Sequence, residues 1–191
     1  MKGKSKLAIF DLDGTLFDTK NVNFHAYQRA IRECGFDIDI DYQFYCNYCN
    51  GNHYKVFLPK IIFDISEEAL HQIHERKKKV YTDYLEKAIK NDFLFFLIDA
   101  IRDKYAIALV TTASRKNTND ILKEFSLRGN FDIIITQEDV KNTKPSPECF
   151  LMVMEEMGIS PEDTIIFEDS DIGIEAAKRS GAKYIRVFGY N

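Results

Sequence analysis

Short apolar segments alternate with amphipathic segments through most of this sequence, and that alternation constrains the fold more than any other feature. Apolar runs of strand length predict β-strands, and apolar residues at helical spacing predict α-helices. The predicted strands are 7–10, 106–110, 133–135, 164–167 and 184–187, with helices at 116–127, 147–157 and 172–180 between the later ones. Elements that alternate in this way build an α/β fold, a doubly wound parallel sheet with right-handed crossover connections.

The segment between the first two predicted strands has a different pattern. Apolar residues recur at helical spacing from 18 to 34 and again from 66 to 88, where Ser66 is placed as an N-cap. The aromatic-rich stretch between these helices, 36–65, predicts short helices and loops. We therefore predict two domains: a core formed by 1–15 and 92–191, and an all-helical domain, 16–91, inserted after the first strand.

Composition and charge exclude several classes of protein. The net charge of −4 gives no electrostatic footprint for nucleic acid, and the basic run at 76–79 is typical of the solvated face of a helix. The longest apolar block, 93–98, is too short to span a membrane, and the apolar run after the basic amino terminus is too short for a signal peptide. We expect a cytoplasmic protein, monomeric or homodimeric, that binds neither nucleic acid nor membranes.

The four cysteines indicate reduced thiols rather than a disulfide framework, because the sequence carries no export signal. Cys46 and Cys49, followed by His71 and His74, have a spacing loosely similar to that of a zinc site. The gap between the two pairs is longer than in a zinc finger, and aromatic residues surround the first pair. This context favours the other interpretation, partly buried thiols in an aromatic cluster.

Polar side chains follow the first four predicted strands at their carboxyl ends, and in a parallel sheet these ends share the edge at which ligands bind. Asp11 and Asp13 alternate about one residue, so both carboxylates point to the same side of an extended chain. Gly14 then permits a tight turn. The later strands are followed by hydroxyl groups, a lysine ahead of two prolines, and two acids: Thr111, Thr112, Lys144, Glu168 and Asp169.

These residue types suit phosphate chemistry. Hydroxyls and backbone N–H groups ahead of a helix can bind a phosphate, and carboxylates are the hard oxygen ligands that Mg²⁺ takes. Each motif alone is also typical of ordinary structure, namely a polar turn, a helix cap or a surface lysine. Their fixed order, each at the end of a predicted strand, favours one shared site.

Taken together, the four segments resemble the four motifs of the haloacid dehalogenase-like (HAD) superfamily, in the order of that family. The motifs are 11–16, the strand that ends at Thr111, Lys144 with Pro145, and 168–170. The resemblance implies a Rossmann-like HAD core. The helical insertion looks like the cap domain of the subgroup that contains phosphoglycolate phosphatase-like and β-phosphoglucomutase-like enzymes.

The resemblance also implies roles for individual residues. Asp11 would attack phosphorus and carry an aspartyl-phosphate intermediate, while Asp13 would act as general acid and then general base. Thr111, Thr112 and Lys144 would bind the phosphoryl oxygens. A Mg²⁺ ion would be bound by the Asp11 carboxylate, the main-chain carbonyl of Asp13, and two acids: Glu168 and Asp169.

An aspartate at position 13 is what the family's phosphatases and phosphomutases carry, whereas its dehalogenases and phosphonatases carry other residues. We therefore expect a phosphatase acting on a small phosphorylated metabolite. The alternatives are a β-phosphoglucomutase-like sugar phosphomutase and a non-catalytic phosphate-binding or regulatory relative. Many relatives have a further aspartate where this sequence has Gly173, and Glu168 is expected to supply the missing oxygen.

Substrate specificity is expected in the cap, because the core residues contact only the phosphate. By placement alone, three residues next to Gly51 are candidates for substrate contacts: His53, Tyr54 and Lys55.

Overall fold

The computed structural model describes residues 4–189 and contains the predicted alternation of strands and helices. The strands are β1 (Lys6–Phe10), β2 (Phe17–Asp18), β3 (Ile89–Lys90), β4 (Tyr105–Val110), β5 (Ile133–Ile135), β6 (Thr164–Glu168) and β7 (Lys183–Arg186). The helices are α1 (Lys20–Glu33), α2 (Tyr42–Phe44), α3 (Tyr54–Ile61), α4 (Glu67–Val80), α5 (Asp92–Ile101), α6 (Arg115–Glu124), α7 (Glu148–Met157) and α8 (Asp171–Ser180). No helix within these residues is long and apolar enough to cross a membrane.

Five strands form one parallel sheet in the order β5-β4-β1-β6-β7. The sheet confirms the predicted α/β fold, and β1 occupies its centre between β4 and β6. Four of the five residues of β1 are buried, because a central parallel strand is covered on both faces. Apolar side chains of α7 and α8 pack in the same core cluster as β1 and β4.

Strand order explains why the polar motifs share an edge. Successive strands are added on one side of β1 and then on the other, so β4 lies on one side of β1 and β6 on the other. Ladder contacts continue just beyond the strands: the Asp11 N–H donates to the Phe167 carbonyl at 3.0 Å, and the Thr111 N–H donates to the Ile135 carbonyl at 3.0 Å. These two bonds hold the carboxyl ends of four strands in register, β1 with β6 and β4 with β5.

Local sequence signals account for most helix ends. Ser114 and Ser170 cap α6 and α8 by accepting the N–H groups of Asn117 and Gly173. Gly158 and Gly181 end α7 and α8 in the left-handed conformation, with φ of 63° and 80°. Glycine is favoured at such a helix end because it has no Cβ atom to oppose the left-handed conformation.

The chain divides into two compact units, and the second comprises residues 19–88. The first contains the sheet and also the short pair β2 and β3, in which Phe17 lies opposite Lys90. The prediction that 16–91 is all-helical was wrong at its two ends, where these strands lie, because a two-residue strand leaves no periodicity in the sequence. Leu16–Asp18 and Ile89–Asn91 accordingly lie in the first unit, whereas the predicted boundary assigned them to the helical insertion.

The second unit contains only helices and turns. The Ser66 side chain accepts the Ala69 N–H and caps α4, as predicted. That helix ends at Val80 rather than near 88, and a 3-10 segment, Tyr81–Lys87, follows it. Between α2 and α3 the chain forms a π-helical segment, Tyr45–Cys49.

Aromatic rings fill the interior of the second unit. The Tyr27 hydroxyl lies 3.2 Å from Nδ1 of His74, and the His74 ring stacks on Tyr54 with centroids 4.0 Å apart. Burial lowers the pKa of His74 to about 3, so the ring is neutral. Cys49 is buried and Cys46 half-buried, and both thiols are free. Among residues 4–189 the one candidate metal cluster lies elsewhere, which favours the interpretation of these cysteines as packed thiols.

Candidate active site

The centre of the site is Asp11, the first residue after β1. It is buried at the carboxyl edge of the sheet. Gly14 follows in a tight turn with φ of +91°, and a Cβ atom there would lie 2.2 Å from a carboxylate oxygen of Asp169. Only glycine satisfies both conditions, so the turn after β1 is built to admit the Asp169 side chain.

Lys144 connects the first motif to the last. Its Nζ donates to Asp11 Oδ1 and to Glu168 Oε2, each at 2.6 Å, and lies 3.4 Å from the Val110 carbonyl at the end of β4. The ammonium group also lies over the Phe150 ring, 5.1 Å from its centroid. A buried lysine with two carboxylate partners has little freedom, so its charge is fixed beside Asp11.

Glu168 and Asp169 are positioned by different neighbours. Glu168 Oε1 accepts the N–H and the hydroxyl of Ser170, at 3.0 and 2.7 Å, while its other oxygen contacts Lys144. Asp169 Oδ1 accepts the Thr15 hydroxyl at 3.0 Å. Gly173 permits this arrangement, because a Cβ atom at that position would lie 2.0 Å from the Glu168 carboxylate carbon.

The close approach at Gly173 yields a stability prediction. Gly173→Ala would gain about 1 kcal/mol of helix propensity, but the clash with Glu168, which cannot swing away from Lys144 and Ser170, costs about 1 to 3 kcal/mol. We expect a net loss, measured as a lower urea midpoint. Gly129→Ala, which meets open space, serves as the control.

A double-mutant cycle isolates the cause of that loss. In a Glu168→Ala background the carboxylate is gone, so adding Gly173→Ala should then cost nothing or stabilise the protein. An unchanged cost in that background would contradict the clash.

Burial and mutual repulsion shape the protonation of the acids. Burial, reinforced by the neighbouring Glu168 charge, raises the pKa of Asp11 well above its ordinary value and that of Asp169 to about 6. Burial would do the same to Glu168, but the Lys144 charge outweighs it and lowers the pKa of Glu168. Burial also opposes the charge on Lys144, yet the Asp11 and Glu168 carboxylates prevail and raise its pKa. Ionisation of all three acids is therefore unfavourable beside Lys144 alone, and a further positive charge at the site would favour it.

The remaining residues of the predicted site follow the carboxyl ends of β1 and β4. Thr111 is buried after β4, and its Oγ1 accepts the Ala113 N–H at 3.0 Å, so its own hydrogen can be donated to an anion. Thr112 is exposed. Asp13 is half-buried and forms an isolated bridge with Phe17.

The carboxylate cluster fits a divalent metal ion. Asp11, Glu168 and Asp169 each offer one oxygen, and these oxygens lie within 4.8 Å of one another. Three carboxylates and one ammonium group leave a surplus that a divalent cation would neutralise, and Mg²⁺ prefers such ligands. The predicted ligand set thus has the right chemistry for Mg²⁺.

The three predicted substrate contacts lie in the second unit and have local partners there. His53 caps α3, with Nδ1 3.3 Å from the Lys55 N–H. Tyr54 is buried against His74, and Lys55 forms an exposed ion pair of 2.8 Å with Glu67. These roles within the unit do not test the predicted substrate contacts, which stay a prediction.

Sequence reasoning missed two residues that act on Asp169. Thr15 contacts its side chain, and the Arg186 Nη1 atom lies 3.3 Å from its main-chain carbonyl. Thr15 lies within the first motif, 11–16, so its position was a usable signal. Arg186 carried none, because a basic residue in a short final strand looks like any surface residue.

Comparison with known proteins agrees with this geometry. The model of the haloacid dehalogenase-like hydrolase family matches residues 8–187. The chain therefore belongs to the haloacid dehalogenase-like hydrolases, a family of enzymes. The match includes every core residue of the predicted site, and it confirms the resemblance drawn from the four motifs.

Individual relatives are similar over nearly their whole length. A phosphorylated carbohydrates phosphatase of Thermotoga maritima is 32% identical over 95% of this chain and 83% of its own. The fructose-1-phosphate phosphatase YqaB of Escherichia coli is 25% identical, covering 94% of each chain. The crystal structure of CbbY from Rhodobacter sphaeroides in complex with phosphate has a TM-score of 0.86 at 25% identity, over 97% of this chain and 87% of that one.

Proposed function

We propose that this protein is a Mg²⁺-dependent phosphatase that hydrolyses a small phosphorylated carbohydrate through an aspartyl-phosphate intermediate. The observation that carries the proposal is the position of Lys144, 2.6 Å from both Asp11 and Glu168 in a buried cluster at the carboxyl edge of the sheet. The similarity to the Thermotoga maritima phosphatase supports phosphorylated carbohydrates as the substrate class.

In the first step, a carboxylate oxygen of Asp11 attacks phosphorus and the bond from phosphorus to the ester oxygen breaks. Asp13 gives its proton to the departing alkoxide, so the alcohol leaves neutral. Lys144 and the Thr111 hydroxyl bind the phosphoryl oxygens, with Thr112 beside them. Phosphoryl transfer depends mainly on such positioning and charge neutralisation, which a fixed lysine supplies.

In the second step, water attacks the phosphorus of the aspartyl phosphate. Asp13, now ionised, takes the water proton, and the bond from phosphorus to the Asp11 oxygen breaks to release inorganic phosphate. The same side chain acts as acid and then as base, so each turnover restores its proton.

The Asp11, Glu168 and Asp169 carboxylates and the Asp13 carbonyl would bind Mg²⁺, which would offset the repulsion between the Asp11 carboxylate and the phosphate dianion. Asp11 would thus be both a ligand of the ion and the nucleophile. Lys144 limits the negative charge that remains when no ion is bound.

A phosphate-release assay across sugar phosphates tests this function. We expect release from at least one substrate, loss of release after chelation of divalent ions, and recovery on adding Mg²⁺. Activity that is indifferent to chelation would contradict the metal dependence. Inactivity across the panel would favour a non-catalytic relative, and isomerised sugar phosphate in place of free phosphate would identify a mutase.

The same assay examines the proposed specificity residues. We propose that His53, Tyr54 and Lys55 contact the sugar portion of the substrate. His53→Ala and Lys55→Ala should then change the ranking of substrates by kcat/KM. A uniform change across the panel would indicate a purely local role, consistent with the contacts they make within their own unit.

A further inference from the structure

A single arginine at the end of the last described strand contacts the acidic loop. Arg186 is the last residue of β7 and pairs with Glu168, the last residue of β6. Its Nη1 donates to the main-chain carbonyl of Asp169 at 3.3 Å, and its Nη2 donates to the Asp171 carboxylate at 2.6 Å. One planar guanidinium group therefore spans the loop from Asp169 to Asp171.

A main-chain hydrogen bond from the next residue also restrains the acidic loop. The Val187 N–H donates to the Glu168 carbonyl at 2.9 Å. Two consecutive carbonyls, those of Glu168 and Asp169, are thus fixed by two consecutive residues of the β7 end. Two successive peptide groups whose carbonyls are bonded cannot rotate freely, so this end of β7 restrains the main chain that carries both acids.

Asp169 is held on its other side by the first motif. The Thr15 hydroxyl donates to Oδ1 at 3.0 Å, and Thr15 is fully buried. The Arg186 contact restrains the main chain of Asp169 from a different strand, whereas Thr15 restrains its side chain. Loss of the Arg186 contact removes this main-chain restraint.

We infer that Arg186 is a positioning residue that preorganises Glu168 and Asp169 for a divalent cation. The inference rests on the proposed function, because it takes these two acids as metal ligands. The Asp171 carboxylate is itself exposed, so its ion pair with Arg186 contributes little to stability and instead fixes the direction of the guanidinium group. Arg186 thus acts through the main chain, without touching the ion.

Calorimetric titration of metal-free protein with MgCl₂ tests the inference directly. Groups that orient metal ligands typically change metal affinity by about 10-fold or more, so Arg186→Met should raise the Kd for Mg²⁺ by about 10-fold. Arg186→Lys, which keeps one cationic donor, should give an intermediate Kd. Arg179→Met is the matched control, because it removes a comparable exposed ion pair with Glu175 from α8.

Two further readouts separate positioning from a general structural defect. In metal-free Arg186→Met, amide exchange should accelerate at 168–172 and remain unchanged in β1 and β4. At saturating Mg²⁺, its kcat should lie within about twofold of wild type, while the Mg²⁺ concentration for half-maximal activity rises about 10-fold.

The outcomes distinguish this inference from the proposed function. Equal Mg²⁺ affinity for wild type and Arg186→Met would overturn the inference even if the protein is an active phosphatase. If wild-type protein takes up no Mg²⁺, the proposed metal-dependent function fails, and unchanged exchange at 168–172 would overturn the positioning role as well.

Discussion

Asp11→Asn should reduce phosphate release by about 10⁴-fold or more, because loss of a covalent nucleophile removes the reaction path itself. The substitution preserves shape and keeps an oxygen that can accept from Lys144 Nζ, now 2.6 Å from Oδ1. It removes only the negative charge and the nucleophilic oxygen. Phosphate release under saturating substrate and Mg²⁺ is the measurement.

The stability of Asp11→Asn should move in the opposite direction to its activity. Burial and the nearby Glu168 and Asp169 charges raise the pKa of Asp11, which means that its ionised form is disfavoured in the folded protein. A neutral amide relieves that repulsion, so we expect an unchanged or higher Tm in metal-free buffer. Functional sites commonly sacrifice stability in this way.

Asp120→Asn is the matched control for both measurements. Asp120 forms a surface ion pair of 2.7 Å with Lys116 on α6, and its loss should leave phosphate release unchanged. A phosphoryl adduct on the Asp11 peptide after acid quenching of wild-type turnover would be direct support. Release by Asp11→Asn within about 10-fold of wild type would exclude Asp11 as the nucleophile.

Much of the core site could be predicted because parallel-sheet geometry converts sequence order into spatial proximity. Five apolar segments predicted five parallel strands, and the residue after each strand lies at the same edge. Asp11 and Lys144 are 133 residues apart, yet their contact follows from strand ends that must meet. The N-cap at Ser66 could also be predicted, because its signal is local in the sequence.

The remaining features depend on contacts that leave no periodic signal. In the sequence, Gly173 stands where many relatives have an aspartate and so suggested a missing metal ligand. In the structure, the absence of a side chain at Gly173 leaves the space that the Glu168 carboxylate occupies. Lys77 belongs to a basic run predicted to be solvated, yet it is buried over the rings of Tyr27 and Tyr81. The roles of Gly173 and Lys77 both depend on residues that come into contact only when the chain folds. A short stretch of sequence therefore does not reveal either role.

Lys144→Met should lower kcat by about 10² to 10³-fold, the usual cost of removing one preorganised group that stabilises transition-state charge. It should also lower the free energy of unfolding at neutral pH by about 3 kcal/mol, because Asp11 and Glu168 stay buried without their shared cation. Urea unfolding in metal-free buffer measures the second effect. Lys141→Met, on an exposed residue of the same loop, should change neither quantity.

The pH dependence of Lys144→Met separates lost charge compensation from lost packing. Without the ammonium group, the folded-state pKa of Asp11 rises further above its unfolded value, and the pKa of Glu168, which Lys144 holds below its ordinary value, rises as well. The folded variant therefore binds more protons than folded wild type at mildly acidic pH. Its stability relative to wild type should therefore fall as pH rises towards neutrality and recover as pH falls towards 5. A packing defect would lower the free energy of unfolding by the same amount at every pH. A constant difference in this free energy between the variant and wild type from pH 5 to 8 would therefore contradict the role assigned to Lys144.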